Sequence, residues 1–397
     1  MAQLSNIPSA PEHRAQRLFE IARLFLRLGA TAFGGPAAHI ALLEHEVVQR
    51  RAWMTRAEFL DYLGITNLIP GPNSTEMAIH VGRRRAGLAG LVVAGASFIA
   101  PASVLVCVLA WAYVTYGALP QLQGLLYGIK PVVMAIVAHV LWGLSRTALK
   151  SVATVAVGAG SIAALILGVH ELVVLAGAAA VMAIGLQSSD RDRAQPSVSS
   201  STMPVGWATT GAATFATASA AAPFGLLPLF VVFLKIGSVL FGSGYVLLAF
   251  LRADLVERLG WLTERQLLDA TAVGLVTPGP VFTAATFVGY LLGGVAGAAV
   301  ATAGIFLPAF VFVAISAPLL PRLRQSRLAS AALDGVNAAS LALMAVVSVQ
   351  LARTALVDVA TVVLGGLSLI AVVRWRMNSA WLIAAGALAG VLLHGRP

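Results

Sequence analysis

A single cysteine, Cys107, stands in 397 residues, so the chain can form neither an internal disulfide nor a cysteine metal cluster. Charge is scarce too. Asp, Glu, Lys and Arg make up 11% of the chain, where soluble domains carry about a quarter, and an ordinary water-soluble fold is excluded. Acid is the rarer sign, with 16 Asp and Glu against 26 Lys and Arg and a net charge of +10. In a soluble chain that excess would suit nucleic acid. Here the arginines cluster between apolar segments, where they fit a topology role on an anionic cytoplasmic face. The expected partner is the lipid bilayer, and no nucleic acid. Catalytic signatures are missing as well. There is no Walker loop, Gly242-x-Gly244 lacks the third glycine of a dinucleotide turn, and no nucleophile–base motif or metal-ligand cluster is visible. An enzyme and a cofactor are therefore not expected, and transport without ATP is what remains.

What the chain does have is apolar length. It is 59% hydrophobic, its mean hydropathy is +0.88, and apolar segments of about 20 residues recur along it. Its 38 glycines and 18 prolines suit closely packed and broken membrane helices. Residues 1–17 are polar and basic, and the first apolar segment has no small-residue cleavage site, so it reads as a retained helix rather than a signal peptide.

The chain also repeats itself. Residues 25–75 overlay 233–283 without a gap, pairing Phe25/Phe233, Gly29/Gly237, Phe33/Phe241, Gly34/Gly242, Arg50/Arg258, Trp53/Trp261, Thr55/Thr263, Asp61/Asp269 and Thr75/Thr283. The triplet Pro70-Gly71-Pro72 falls on Pro278-Gly279-Pro280. A weaker match runs from Gly128/Gly335 to Arg146/Arg353. Low-complexity apolar sequence does not align Trp, Asp, Arg and Pro-Gly-Pro together, so the duplication is real. The division that follows is a tail (1–18), a first repeat (19–187), a hydrophilic linker with a linking helix (188–226) and a second repeat (227–397). The first repeat reads as a helix over 19–42 broken at 33–36, an amphipathic interfacial stretch over 44–56, and a helix ending at Ile69. After the triplet come a short piece over 73–82 and apolar helices over 87–117, 121–145, 151–168 and 171–187. If the weakly hydrophobic stretch 205–224 crosses, nearly all basic loops fall on the cytoplasmic side. The expectation is an all-α, multi-pass integral membrane protein with about 13 transmembrane or re-entrant helices in two inverted repeats. Whether the helices around each triplet cross fully or re-enter stays open, as does a homodimer.

The triplets carry the chemistry. Proline lacks an N–H and glycine accepts unusual φ, so a helix stops there and another starts. A helix beginning at Pro72 would aim the N–H groups of Asn73, Ser74 and Thr75 at the break, an anion site that the macrodipole reinforces. The hydroxyls of Ser74, Thr75 and Thr283 add donors. Broken helices paired across two repeats mark transporter binding sites; the alternative is a tight surface turn. Arg27 and Lys235 align within apolar helices, where a cation either binds an anion or snorkels to the interface. Lys130, with Asn337 opposite, is confined to one half. Asp61 and Asp269 either pair with cations or carry protons. Glu76, with Ala284 opposite, either complements the helix N-terminus or couples protons. His39, His80 and His139 read as packing residues.

These motifs resemble the chromate ion transporter (CHR) family. The resemblance rests on FLRLGATAFGGPAAHI at 25–40, NLIPGPNSTEMAIHVG at 67–82 and Tyr127-Gly128-x-Lys130-Pro131. The second half adds FLKIGSVLFGSGYVL at 233–247 and GLVTPGPVFTAATFVGYLLGG at 274–294. The likeness covers the chain except its termini and linker. It implies a bacterial inner-membrane transporter of the two-domain type that exports chromate and confers chromate resistance, driven by the membrane potential or a proton gradient. Sulfate, a tetrahedral dianion of similar size, is the competing substrate. Inward oxyanion transport and a membrane-bound chromate reductase are the alternatives. The implied substrate side includes Gly34, Gly35 and Pro36 in the first half and Gly242 in the second, which departs by reading Phe241-Gly242-Ser243-Gly244. That departure and the missing partner of Glu76 favour the first half as the principal substrate side.

Overall fold

In the computed structural model the described residues are 10–32, 35–66, 69–116, 120–194, 224–241, 246–325, 327–375, 377 and 379–394, and every helix of the first half returns in the second. The first half runs α1 (Ala10–Thr31), α2 (Gly35–Glu44) with a π turn at His45–Arg50, α3 (Arg56–Thr66), α4 (Asn73–Tyr116), α5 (Pro120–Ala148), α6 (Val152–Ile166) and α7 (Glu171–Ala194). The second runs α8 (Leu226–Val239), α9 (Leu247–Leu251) with a π turn at Arg252–Arg258, α10 (Glu264–Val276), α11 (Ala284–Gln325), α12 (Arg327–Ala355), α13 (Val359–Trp375) and α14 (Ser379–His394). Among the described residues, the segments Asn73–Tyr116, Gln123–Ala148, Val281–Ser316 and Arg327–Ala355 are long and apolar enough to cross a membrane.

Local sequence explains the first turns. Thr55 and Glu58 cap α3 reciprocally: Glu58 N–H donates to Thr55 Oγ1 (3.2 Å) and Thr55 N–H to Glu58 Oε2 (2.9 Å). The aligned Thr263 and Gln266 do the same for α10. Such a box satisfies donors that a helix start otherwise leaves open.

The triplets form hairpin tips. Arg84 on α4 reaches back to Glu58 on α3 (3.3 Å), and the His80 ring lies 5.1 Å from that of Tyr62. The two limbs therefore run antiparallel, with Pro70-Gly71-Pro72 between them. At 1.5 Å per residue the limbs are about 16–20 Å long, roughly half to two-thirds of a bilayer's hydrocarbon core. The chain then turns again at Ala86-Gly87, whose φ/ψ values are non-helical, and α4 continues as a second, longer limb. A methyl group on Gly82 would strike the carbonyl of Gly90, so these limbs pack backbone to backbone. Gly293-Gly294, Gly289 and Gly297 repeat that turn in α11.

The halves interlock. Helix α5 packs on α13 and α14, and α12 packs on α6 and α7. Gly128 of α5 abuts Gly386 and Gly390 of α14; the matching Gly335 of α12 abuts Ala178 and Met182 of α7. Reciprocal contacts of this kind are isologous, as across a two-fold axis.

Three expectations need adjusting. Helix α1 already begins at Ala10, inside the stretch taken as a tail, because the polar residues of 10–18 continue its helical register. Helix α7 extends to Ala194 and absorbs the start of the hydrophilic linker. The piece over 73–82 does not end at the arginines; the helix runs through Arg83, Arg84 and Arg85 to the turn at Ala86. The linking helix expected over 205–224 lies, except for Phe224, outside the described residues.

Candidate functional site

Both tips are buried, with Gly71 at φ 141° and Gly279 at φ 91°, a region that disfavours any side chain. Each tip is tied to the other half. The N–H of Gly71 donates to the carbonyl of Leu240 at the end of α8 (2.8 Å). The N–H of Gly279 donates to the carbonyl of Ala32 at the end of α1 (2.9 Å). Ala32 and Leu240 are themselves aligned positions, so one hydrogen bond is made twice.

The helix start behind the first tip differs from the sequence expectation. The N–H groups of Thr75 and Glu76 turn back onto the Pro72 carbonyl (2.8 and 3.0 Å), which removes Thr75 N–H from the donors available to an anion. Side chains supply polarity instead. His39 Nε2–H donates to the Ala32 carbonyl (2.9 Å), leaving Nδ1 3.4 Å from Ser74 Oγ. Thr75 Oγ1, both carboxyl oxygens of Glu76 and both ring nitrogens of His80 are buried with no hydrogen-bond partner among the described residues. A methyl on Gly71 would strike Glu76 Oε1, so this carboxyl lies directly under the tip. The second tip is quieter: Thr283 Oγ1–H donates to the Pro280 carbonyl (2.8 Å). Where the first half has His39, Asn73 and Glu76, the second has Leu247, Val281 and Ala284, which line a small apolar cavity with Val137, Leu248, Leu251, Thr271 and Leu275.

The charged candidates fall into three clusters. Lys130 Nζ lies 3.1 Å from Asp269 Oδ1, and Tyr113 O–H donates to Asp269 Oδ2 (2.8 Å). Arg27 pairs with Glu46 (2.5 Å), which also meets Arg50 (3.1 Å) and Arg51 (3.3 Å). Lys235 pairs with Asp254 (2.7 Å), which Arg258 also contacts (2.8 Å), and with Glu171 of the first half (3.7 Å). Burial pushes the Glu46 carboxyl up, but hydrogen bonds and charge from Arg27, Arg50 and Arg51 outweigh this and hold it below the ordinary carboxylate value. Asp61, unlike Asp269, is exposed on its hairpin limb. Gly35 and Pro36 open α2, whereas Gly34 and Gly242 lie outside the described residues.

Sequence reasoning took His39 for a packing residue and passed over Glu46 and Asp254. His39 left no trace in the repeat, since Leu247 replaces it. Glu46 and Asp254 did leave one: they align, each four residues before the aligned Arg50 and Arg258, a spacing that pairs charges on a helix.

The chromate transporter family matches residues 19–184 and again 227–391. The chain belongs to that family. It is 30% identical over 338 residues to the probable chromate transport protein of Synechococcus elongatus, covering 82% of each chain. It is also 30% identical over 346 residues to the chromate transport protein of Cupriavidus metallidurans, covering 84% of this chain and 82% of that one. The chromate transport protein of Pseudomonas aeruginosa is 30% identical over 338 residues, with 79% and 76% covered. No solved structure matches. Family and apolar helices together make this a membrane protein of the ion-transport class, and its relatives are named as transport proteins rather than enzymes.

Proposed function

We propose that this protein is a secondary active transporter that exports chromate across a bacterial inner membrane and thereby confers chromate resistance. The observation that carries the reading is the doubled hydrogen bond, Gly71 to Leu240 and Gly279 to Ala32. It links each helix break to the break of the other half, so the segments meant to line a substrate path can move only together. Within the lipid core such broken backbone is tolerated only where it meets protein or a polar solute. The substrate side is the first tip, with Asn73, Ser74 and the Thr75 hydroxyl as donors, while Lys130 is held away from it by Asp269.

Packing supports an inverted arrangement. Gly95 of α4 meets Phe310 of α11, whereas its sequence counterpart is Thr302. Two-fold-related helices lying parallel would bring equivalent positions together; a contact displaced by two turns fits antiparallel limbs and an axis in the membrane plane. With a crossing over 205–224, about 13 transmembrane or re-entrant segments result. Export gains from an inside-negative potential, which releases about 2.3 kcal/mol per charge per 100 mV as an anion leaves.

The test is accumulation of labelled chromate in cells with and without the protein, with sulfate as competitor. Expression should lower chromate accumulation, and Pro70→Ala should restore it to the level of cells lacking the protein. Unchanged accumulation on expression, or an active Pro70→Ala variant, overturns the reading. In inverted vesicles, chromate flux should follow the imposed potential; indifference to it removes the electrical drive.

A further inference from the structure

The first tip contains a titratable group for which anion binding alone has no use. The Glu76 side chain is 0% exposed, and neither carboxyl oxygen has a partner among the described residues. Its carboxyl lies against Gly71 of the tip, and Ala309 of α11 adjoins the same glycine. No described cation is turned toward it. Arg83 of α4 spends its guanidinium on the carbonyls of Val313 and Ala314 (2.6 and 2.5 Å), and Arg27 is held by Glu46. From α2, His39 is bonded to Ala32 and Ser74; from α3, Tyr62 stacks on His80, and Asp61 is exposed. Helix α11 presents Ala309, Phe310 and Val313, all apolar. One turn beyond Glu76, His80 is the next ionisable group, also buried and with neither ring nitrogen hydrogen-bonded among the described residues. The second half offers no equivalent, with Ala284 and then Phe287 and Val288 in those places.

A buried carboxylate without a cation or hydrogen bonds is strongly disfavoured, and a proton relieves it. A dianion held by Ser74 and Thr75 would add two negative charges within a few ångströms, where the low dielectric magnifies repulsion. We propose that Glu76 is a proton-binding site filled whenever the oxyanion is bound, so that one proton travels with each dianion and the complex moves with one net negative charge. Binding linkage is reciprocal, so proton and anion each raise the other's affinity. His80 then forms the step by which the proton reaches the tip along the hairpin. This inference rests on the transport reading above and names the coupled ion at the same site.

The experiment uses the full chain in proteoliposomes, wild type beside Glu76→Gln, with labelled sulfate and labelled chromate as probes. Sulfate affinity of the wild type should fall about tenfold per pH unit on the alkaline side, as expected for one linked proton, whereas Glu76→Gln should hold its affinity within about twofold across the same range. Flux reversal potentials should report one net charge per anion for the wild type and two for Glu76→Gln. Comparing the two proteins at each pH cancels the titration of chromate itself. Should Glu76→Gln fail to fold, Glu76→Ala, the residue of the second half, takes its place with the same expectation. A pH slope equal in wild type and variant, or a reversal potential unmoved by the substitution, overturns the proton site while leaving oxyanion transport standing. A wild-type protein that binds neither oxyanion at any pH overturns both.

Discussion

Lys130 of α5 and Asp269 of α10 form a buried ion pair at 3.1 Å that joins the two halves of the chain. Asp269 is 0% exposed and receives a second bond from Tyr113 of α4. Removing one member of such a pair leaves an uncompensated charge, at a cost of about 3–5 kcal/mol. Lys130→Met and Asp269→Leu should each lower the thermal unfolding midpoint in detergent, and the double variant should lie above either single one. Additive losses would show that the two side chains do not interact.

Gly71→Ala and Gly279→Ala test the tips. Each forces a side chain into a backbone region worth about 1–3 kcal/mol of strain. Each also drives a methyl into a neighbour, Glu76 for Gly71 and Ala102 for Gly279. Both variants should reduce chromate flux at least tenfold, measured per molecule of protein recovered in the membrane. Because the hydrogen bond is made twice, damage on either side should impair the same flux.

The two threonines behind the tips should separate stability from transport. Thr283→Val loses the bond to Pro280, about 1 kcal/mol of stability. Thr75→Val removes a hydroxyl that has no partner among the described residues, so it should leave the unfolding midpoint unchanged or raise it while weakening oxyanion binding. Unfolding in detergent and equilibrium binding of labelled sulfate read the two effects independently.

Glu46 predicts an acid limit. Its three arginines hold its folded value below the unfolded one, so the cluster's stabilisation is complete above the ordinary carboxylate value, about 4.3. It is lost as pH falls through the lower, folded value. Glu46→Gln should remove this part of the acid sensitivity, visible as a smaller drop in unfolding midpoint between neutral pH and about pH 3.

Repetition made the fold readable. Aligned Trp, Asp, Arg and proline residues announced two halves, and Pro-Gly-Pro announced where their helices stop. The break near Ala86-Gly87 was readable, since the expected helices part between 82 and 87, but the hairpin form was not, because hydropathy alone does not tell a crossing segment from one that folds back. The candidate site was half legible. Pro70, Gly71 and Glu76 stand out by type, but the cations beside them do not reveal their partners: Arg27 and Lys235 are claimed by Glu46 and Asp254, and Lys130 by an acid more than a hundred positions away. Such pairings come from folding the chain back on itself, which spacing along the sequence does not record.

The packing of α5 against α13 and α14 also sets a timetable for biogenesis. When the ribosome has finished α1 to α7, the grooved face of α5 around Gly128 still lacks the glycines that will fill it, Gly386 and Gly390 of α14. Until the last two helices emerge, that face must wait in lipid or in the insertion machinery. Two separately translated halves placed in one membrane should therefore find each other, while either half alone should be left for quality-control proteases.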